Sequence, residues 1–121
     1  MTQVLLIEDE PNISEAIRFI LSRDGCNVTT LHSGVDALDS IRAKRPDLLI
    51  LDLMLPGVSG LEILSAVRAD PETAALPVMM LTAKGQGKDR EAAERAGVSR
   101  FMTKPFSNDD MRAAVRALTA R

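Results

Sequence analysis

Three uninterrupted apolar runs constrain this chain more than any other feature: Val4-Leu5-Leu6-Ile7, Leu48-Leu49-Ile50-Leu51 and Val78-Met79-Met80-Leu81. Each is too short for a helix and lacks the apolar/polar alternation of a strand with one wet face, so each predicts a strand buried on both faces. Strands of that kind belong to parallel sheets covered by helices on either side. Helical patterns do separate the runs. Ile13, Ala16, Ile17, Ile20 and Leu21 fall at i, i+3, i+4, i+7 and i+8, the stripe of an amphipathic helix. Val35, Leu38 and Ile41 mark a second helix, Leu61, Leu64 and Val67 a third, and Met111, Ala114, Val115 and Leu118 a fifth. The fourth, near Lys88 to Ala96, offers only alanines to a core and should be the least firmly packed.

Two weaker strands, near Asn27 to Leu31 and Arg100 to Thr103, complete a (βα)5 alternation, with Gly25, Gly34, Pro46, Pro77 and Gly97 at the boundaries. No internal repeat, linker or low-complexity tract interrupts residues 1–121, which read as one domain. Right-handed crossovers and the need for helices on both faces predict a doubly wound, five-stranded parallel α/β sheet in the flavodoxin-like order 2-1-3-4-5. Charged residues at 26% and hydrophobic ones at 45% exclude a disordered chain. A net charge of −2 leaves no basic surplus for nucleic acid or anionic lipid. No apolar run approaches the ~20 residues needed to cross a bilayer. A single cysteine, Cys26, excludes an internal disulfide, and with no secretory leader in evidence the expected setting is reducing and cytoplasmic.

Ligands of open α/β sheets bind outside the carboxyl ends of the strands, so the residues placed there carry the functional information. The first strand ends in Glu8-Asp9-Glu10, the third in Asp52, the fourth in Thr82 and the fifth in Lys104. In the order 2-1-3-4-5 these strands are consecutive neighbours, and their terminal side chains converge on one cleft. Like charges so gathered repel, at roughly 3 kcal/mol per pair ~5 Å apart in an effective dielectric of ~20. Lys104 offsets part of this, and an all-oxygen cluster without His or Cys suits a hard divalent cation such as Mg²⁺. A cleft so neutralised can hold an added dianion, with Thr82 donating to it and Asp52 as the nucleophile.

These residues resemble the receiver domains of two-component response regulators, chemotaxis receivers among them. The resemblance spans essentially the whole chain and rests on four motifs at strand ends: Glu8-Asp9, Asp52 within Leu51-Asp52-Leu53-Met54-Leu55-Pro56-Gly57, Thr82-Ala83, and Lys104-Pro105-Phe106. It implies that Asp52 accepts a phosphoryl group from a histidine kinase or a histidine phosphotransfer protein. It implies that Asp9, Asp52 and the Met54 carbonyl ligate Mg²⁺, with Glu8 acting through a bound water. Lys104, Thr82 and the Ala83 N–H would hold phosphoryl oxygens, and the Lys104-Pro105 bond would be cis. Thr82 and the aromatic Phe101 would form a switch that reshapes the face of helix 4, strand 5 and helix 5 for an output domain or target protein. Thr82-Ala83-Lys84-Gly85 and the Phe101 to Phe106 stretch look like receivers of winged-helix transcription factors. Those commonly carry an acidic pair where Ser99-Arg100 stand here, so a monomer or a weak phosphorylation-dependent dimer is expected. With its end just after the fifth helix, the chain reads as a single-domain regulator or a receiver from a longer one.

Taken singly, these residues have plainer readings. Asp52 could cap a helix, Glu8-Asp9-Glu10 could be a solvated turn, Thr82 a cap, Lys104 a surface charge and Phe101 ordinary packing. Their meaning comes from convergence. His32, the only histidine, reads as an exposed loop residue and not a phosphodonor, and Cys26 as a small, partly buried packing residue. Gly57 and Gly60 should satisfy turn dihedrals before the third helix. Lys84-Gly85-Gln86-Gly87-Lys88 lacks the spacing and Ser/Thr of a P-loop and reads as a flexible loop. An aspartyl phosphatase would need a second Asp two residues after the first, where Met54 stands, so fast turnover is not expected. A flavin or nucleotide carrier is disfavoured because the acidic first loop would repel a phosphate.

Overall fold

Alternate residues of each apolar strand face opposite sides of the sheet, and this explains why the runs are continuous. In the computed structural model, which describes residues 1–83 and 87–119, Val4, Leu6, Leu48, Ile50, Met79 and Leu81 enter one core cluster. Leu5, Ile7, Leu49, Leu51, Val78 and Met80 enter the other. The elements alternate strictly: β1 (Thr2–Ile7), α1 (Pro11–Arg23), β2 (Cys26–Leu31), α2 (Ala37–Lys44), β3 (Leu48–Asp52), α3 (Gly60–Ala69), β4 (Val78–Ala83), α4 (Gly87–Ala96), β5 (Arg100–Lys104) and α5 (Asn108–Thr119). All four strand pairs are parallel, in the order β2-β1-β3-β4-β5. α1 and α5 cover the first face through Ile17, Ile20, Leu21, Met111, Ala114 and Val115. α2, α3 and α4 cover the second. Each fully buried Leu or Ile contributes about 1.5–3 kcal/mol relative to exposure.

Local signals set the helix starts. Ser59 caps α3, its Oγ accepting from the Glu62 amide at 3.3 Å while donating to Glu62 Oε1. Pro11 opens α1. α4 contributes Ala93 alone to the fully buried set, as its alanine face predicts.

The structure corrects several readings in detail. Val35 precedes α2 and is 66% exposed, so the α2 face is built from Ala37 and Ile41, with Leu38 partly buried against the same core. Ala16 lies on the exposed edge of the α1 stripe, and Cys26 is fully rather than partly buried. The Lys84-Gly85-Gln86 part of the loop expected to be flexible lies outside the described residues. Arg68, which drew no attention in the sequence, ties α3 to the opposite end of the sheet by donating to the carbonyls of Ala74, Leu76 and Gly97. No helix among the described residues is long and apolar enough to cross a membrane.

Candidate functional site

Parallel pairing brings the ends of β1, β3, β4 and β5 to one edge of the sheet. β1 stands beside β3, Asp52 pairs with Leu81 next to Thr82, and Ala83 pairs with Lys104. At that edge Lys104 reaches across. Its Nζ donates to Asp52 Oδ2 at 2.8 Å, lies 2.9 Å from Glu8 Oε1 and 4.0 Å from Glu10 Oε1. One carboxylate oxygen each from Glu8, Asp9 and Asp52 lie within 4.8 Å of one another. Glu8 and Asp52 are buried and Asp9 is exposed.

The electrostatics follow from burial. Desolvation, followed by the neighbouring Asp52 carboxylate, pushes the Glu8 carboxyl from 4.5 to about 7, against the pull of Lys104 and the Glu10 amide. Burial works against the Lys104 ammonium as well, but Asp52 and Glu8 outweigh it and hold its pKa above the usual lysine value. Glu8 Oε1 lies 2.9 Å from the Lys104 ammonium, which is shared with Asp52, so one cation faces three clustered carboxyl groups. Three carboxyl groups with oxygens within 4.8 Å of one another and a single ammonium against them leave a negative excess that a hard cation with oxygen ligands would offset. The donor set fits a divalent metal.

The remaining residues of the site are placed around this cluster. The Met54 N–H donates to Asp52 Oδ1 at 3.1 Å while its side chain is 65% exposed. Thr82 is buried and its hydroxyl donates to the Ala83 carbonyl at 3.3 Å. Ala83 is exposed at the end of β4. The Lys104-Pro105 peptide is cis. Phe101 lies half-buried on β5 opposite Met80, with the Arg90 guanidinium of α4 5.5 Å from its ring centre.

Of the two glycines before α3, Gly57 does take a left-handed conformation, with φ of +82°. Gly60 serves a different purpose from the turn geometry expected of it. A Cβ there would sit 2.4 Å from the Asp52 carbonyl oxygen and 2.9 Å from Leu53 Cα, so Gly60 lets the start of α3 close against the strand that presents Asp52. The Met54 amide as a donor to Asp52 and the bond from His32 to the Glu8 carbonyl are not visible in the sequence. Backbone partners of this kind leave no signature in residue type. His32 itself is exposed, as expected.

Comparison with known proteins agrees with this geometry. The model of the response regulator receiver domain matches residues 4–116, and the chain belongs to that family. It is 39% identical over its whole length to the phosphate regulon transcriptional regulatory protein PhoB of Rhizobium meliloti, of which it covers 53%. It is 42% identical, over 98% of its length, to the probable transcriptional regulatory protein TcrX of Mycobacterium tuberculosis, of which it covers 50%. The chain thus spans about half the length of the curated relatives it matches. Among solved structures, a response regulator from Chloroflexus aurantiacus superposes with a TM-score of 0.94 at 33% identity, covering 99% of this chain and 98% of that one. The receiver domain of the sensor histidine kinase PA1611 of Pseudomonas aeruginosa, with a magnesium ion coordinated in its active-site cleft, superposes at 0.91 and 28% identity, with 99% and 98% covered.

Proposed function

We propose that this domain carries its signal as an acyl phosphate on Asp52, formed with Mg²⁺ in the acidic cleft. An Asp52 carboxylate oxygen attacks the phosphorus of a phosphohistidine on a histidine kinase or phosphotransfer protein. The phosphorus–nitrogen bond breaks, its electron pair stays with the imidazole, and the phosphoryl group is left on Asp52. Glu8 through a water, Asp9, Asp52 and the Met54 carbonyl would hold Mg²⁺. Bound there, the ion would supply charge neutralisation for the incoming dianion. Lys104, already 2.8 Å from Asp52, is in place to stay with the phosphoryl oxygens, with the Thr82 hydroxyl and the Ala83 N–H as further donors.

The response is a population shift: Thr82 turns to the phosphoryl group, Phe101 moves into the space this opens, and the face of α4, β5 and α5 is reshaped for an output domain or target protein. α4 suits this part because it is the helix with the smallest buried contribution. The domain assists its own phosphorylation and loses the group slowly, acting as a signal carrier and not a turnover enzyme. Its work on a kinase-borne phosphoryl group belongs in the cytoplasm.

The observation that carries this reading is the convergence of Glu8, Asp9 and Asp52 within 4.8 Å, with Lys104 against two of them. Intact mass after incubation with acetyl phosphate tests it. One phosphoryl group should be gained by the native chain with Mg²⁺, and none without Mg²⁺ or in Asp52→Asn. Gain by Asp52→Asn, or no gain under any condition, would overturn the reading.

A further inference from the structure

β1 and β2 pair in register as far as Ile7 and Leu31, and the Glu8 amide extends the ladder by donating to the Leu31 carbonyl at 3.0 Å. The Glu8 carbonyl lies beyond the last strand pair and needs another partner. That partner is a side chain: His32 Nδ1 lies 3.1 Å from it. A carbonyl only accepts, so Nδ1 carries the proton and donates. The peptide receiving this bond joins Glu8 to Asp9, and its plane sets the direction in which the chain leaves the sheet toward α1. Asp9 is exposed, so packing does not hold it, and the orientation of its backbone has to come from hydrogen bonds. Glu8 is held further by its amide on Leu31 and its carboxylate on Lys104, and the Glu10 amide donating to Glu8 Oε2 at 3.2 Å spans Asp9, but none of these bonds engages the Glu8 carbonyl.

We propose that His32 is a positioning residue for the acidic site, its Nδ1–H fixing the Glu8–Asp9 peptide so that the carboxylates on either side converge with Asp52. This rests on the reading of Glu8, Asp9 and Asp52 as the Mg²⁺-holding set. His32 touches neither metal nor phosphoryl group, and acts through the backbone alone.

Two substitutions separate this from a general structural effect. In His32→Asn the amide nitrogen stands at the same branch position as Nδ1 and donates. In His32→Leu a methyl group stands there and cannot. Mg²⁺ binding by calorimetry and metal-free amide exchange at Asp9 and Glu10 by NMR are the readouts. His32→Leu is expected to bind Mg²⁺ ~2- to 10-fold more weakly, the worth of one neutral hydrogen bond, and to exchange faster at Asp9 and Glu10. His32→Asn is expected to stay within ~2-fold of the native chain in both. Native affinity and exchange in His32→Leu, or equal losses in both variants, overturn the proposal and leave the Mg²⁺ reading standing. A native chain that binds no Mg²⁺ overturns both.

Discussion

Glu8→Gln turns the most buried charge of the cleft into a neutral amide and should change how stability depends on pH. In the folded domain Glu8 keeps its proton up to about 7, whereas unfolded it loses it near 4.5. Across that window the folded state binds more protons than the unfolded one, so the Glu8 contribution to stability is fully present below 4.5 and is lost as pH rises to about 7. The loss corresponds to roughly 3 kcal/mol. Carboxylates with the opposite shift, such as Asp70, act at lower pH and are common to both proteins. Urea unfolding of native and Glu8→Gln protein in EDTA at pH 5, 6, 7 and 8 isolates the difference. The variant should gain on the native chain steadily from pH 5 to about pH 7, by ~2–3 kcal/mol. A stability difference that stays flat, or moves the other way, would refute the claim that Glu8 is ionised at a cost in the metal-free cleft.

Lys104→Met leaves Glu8 and Asp52 buried together without a cation, which should cost roughly 3 kcal/mol in urea at pH 8 and less at pH 5, where Glu8 takes up a proton. The same variant should gain phosphoryl from acetyl phosphate roughly 100-fold more slowly, followed by intact mass. Gly60→Ala forces a Cβ against the Asp52 carbonyl and the Leu53 backbone, neither of which can yield as a side-chain tip would, and should lower unfolding free energy by about 1–3 kcal/mol. Met54 is exposed and apolar and cannot orient water, so Met54→Asn should speed the decay of the phosphorylated form, and an unchanged or slower decay would contradict that assignment. A phosphoryl mimic should alter hydrogen exchange around Ala92, Ala96 and Phe101 more than around α1, and equal changes on both faces would count against the α4-β5-α5 output surface.

Fold and site were legible in the sequence to different depths. Continuous runs such as Leu48 to Leu51 admit few alternatives to a doubly covered parallel strand, and once strand order follows, Glu8, Asp9, Asp52, Thr82 and Lys104 are carried to one edge whatever the details of packing. The spacing of Val35 to Leu38 and Ile41 fits a helix, but α2 begins at Ala37, and spacing does not reveal where the first turn closes. Gly60 reads as a turn residue because sequence shows that a side chain is missing, not what it would have struck. Contacts made by the backbone, Met54 N–H to Asp52 and His32 to the Glu8 carbonyl, depend on how strand ends overhang their neighbours. The positive charge of Lys104 was visible; that it would lie against Glu8 as closely as against Asp52 was not.

Whether Asp52 itself bears the phosphoryl group can be read chemically. Borohydride reduces an acyl phosphate on aspartate to homoserine, so reduction of the acetyl phosphate- and Mg²⁺-treated chain followed by peptide mapping reads the position directly. Homoserine at position 52, and at no other aspartate, is the result predicted; homoserine at Asp9 or elsewhere, or none despite a gain in mass, would contradict it.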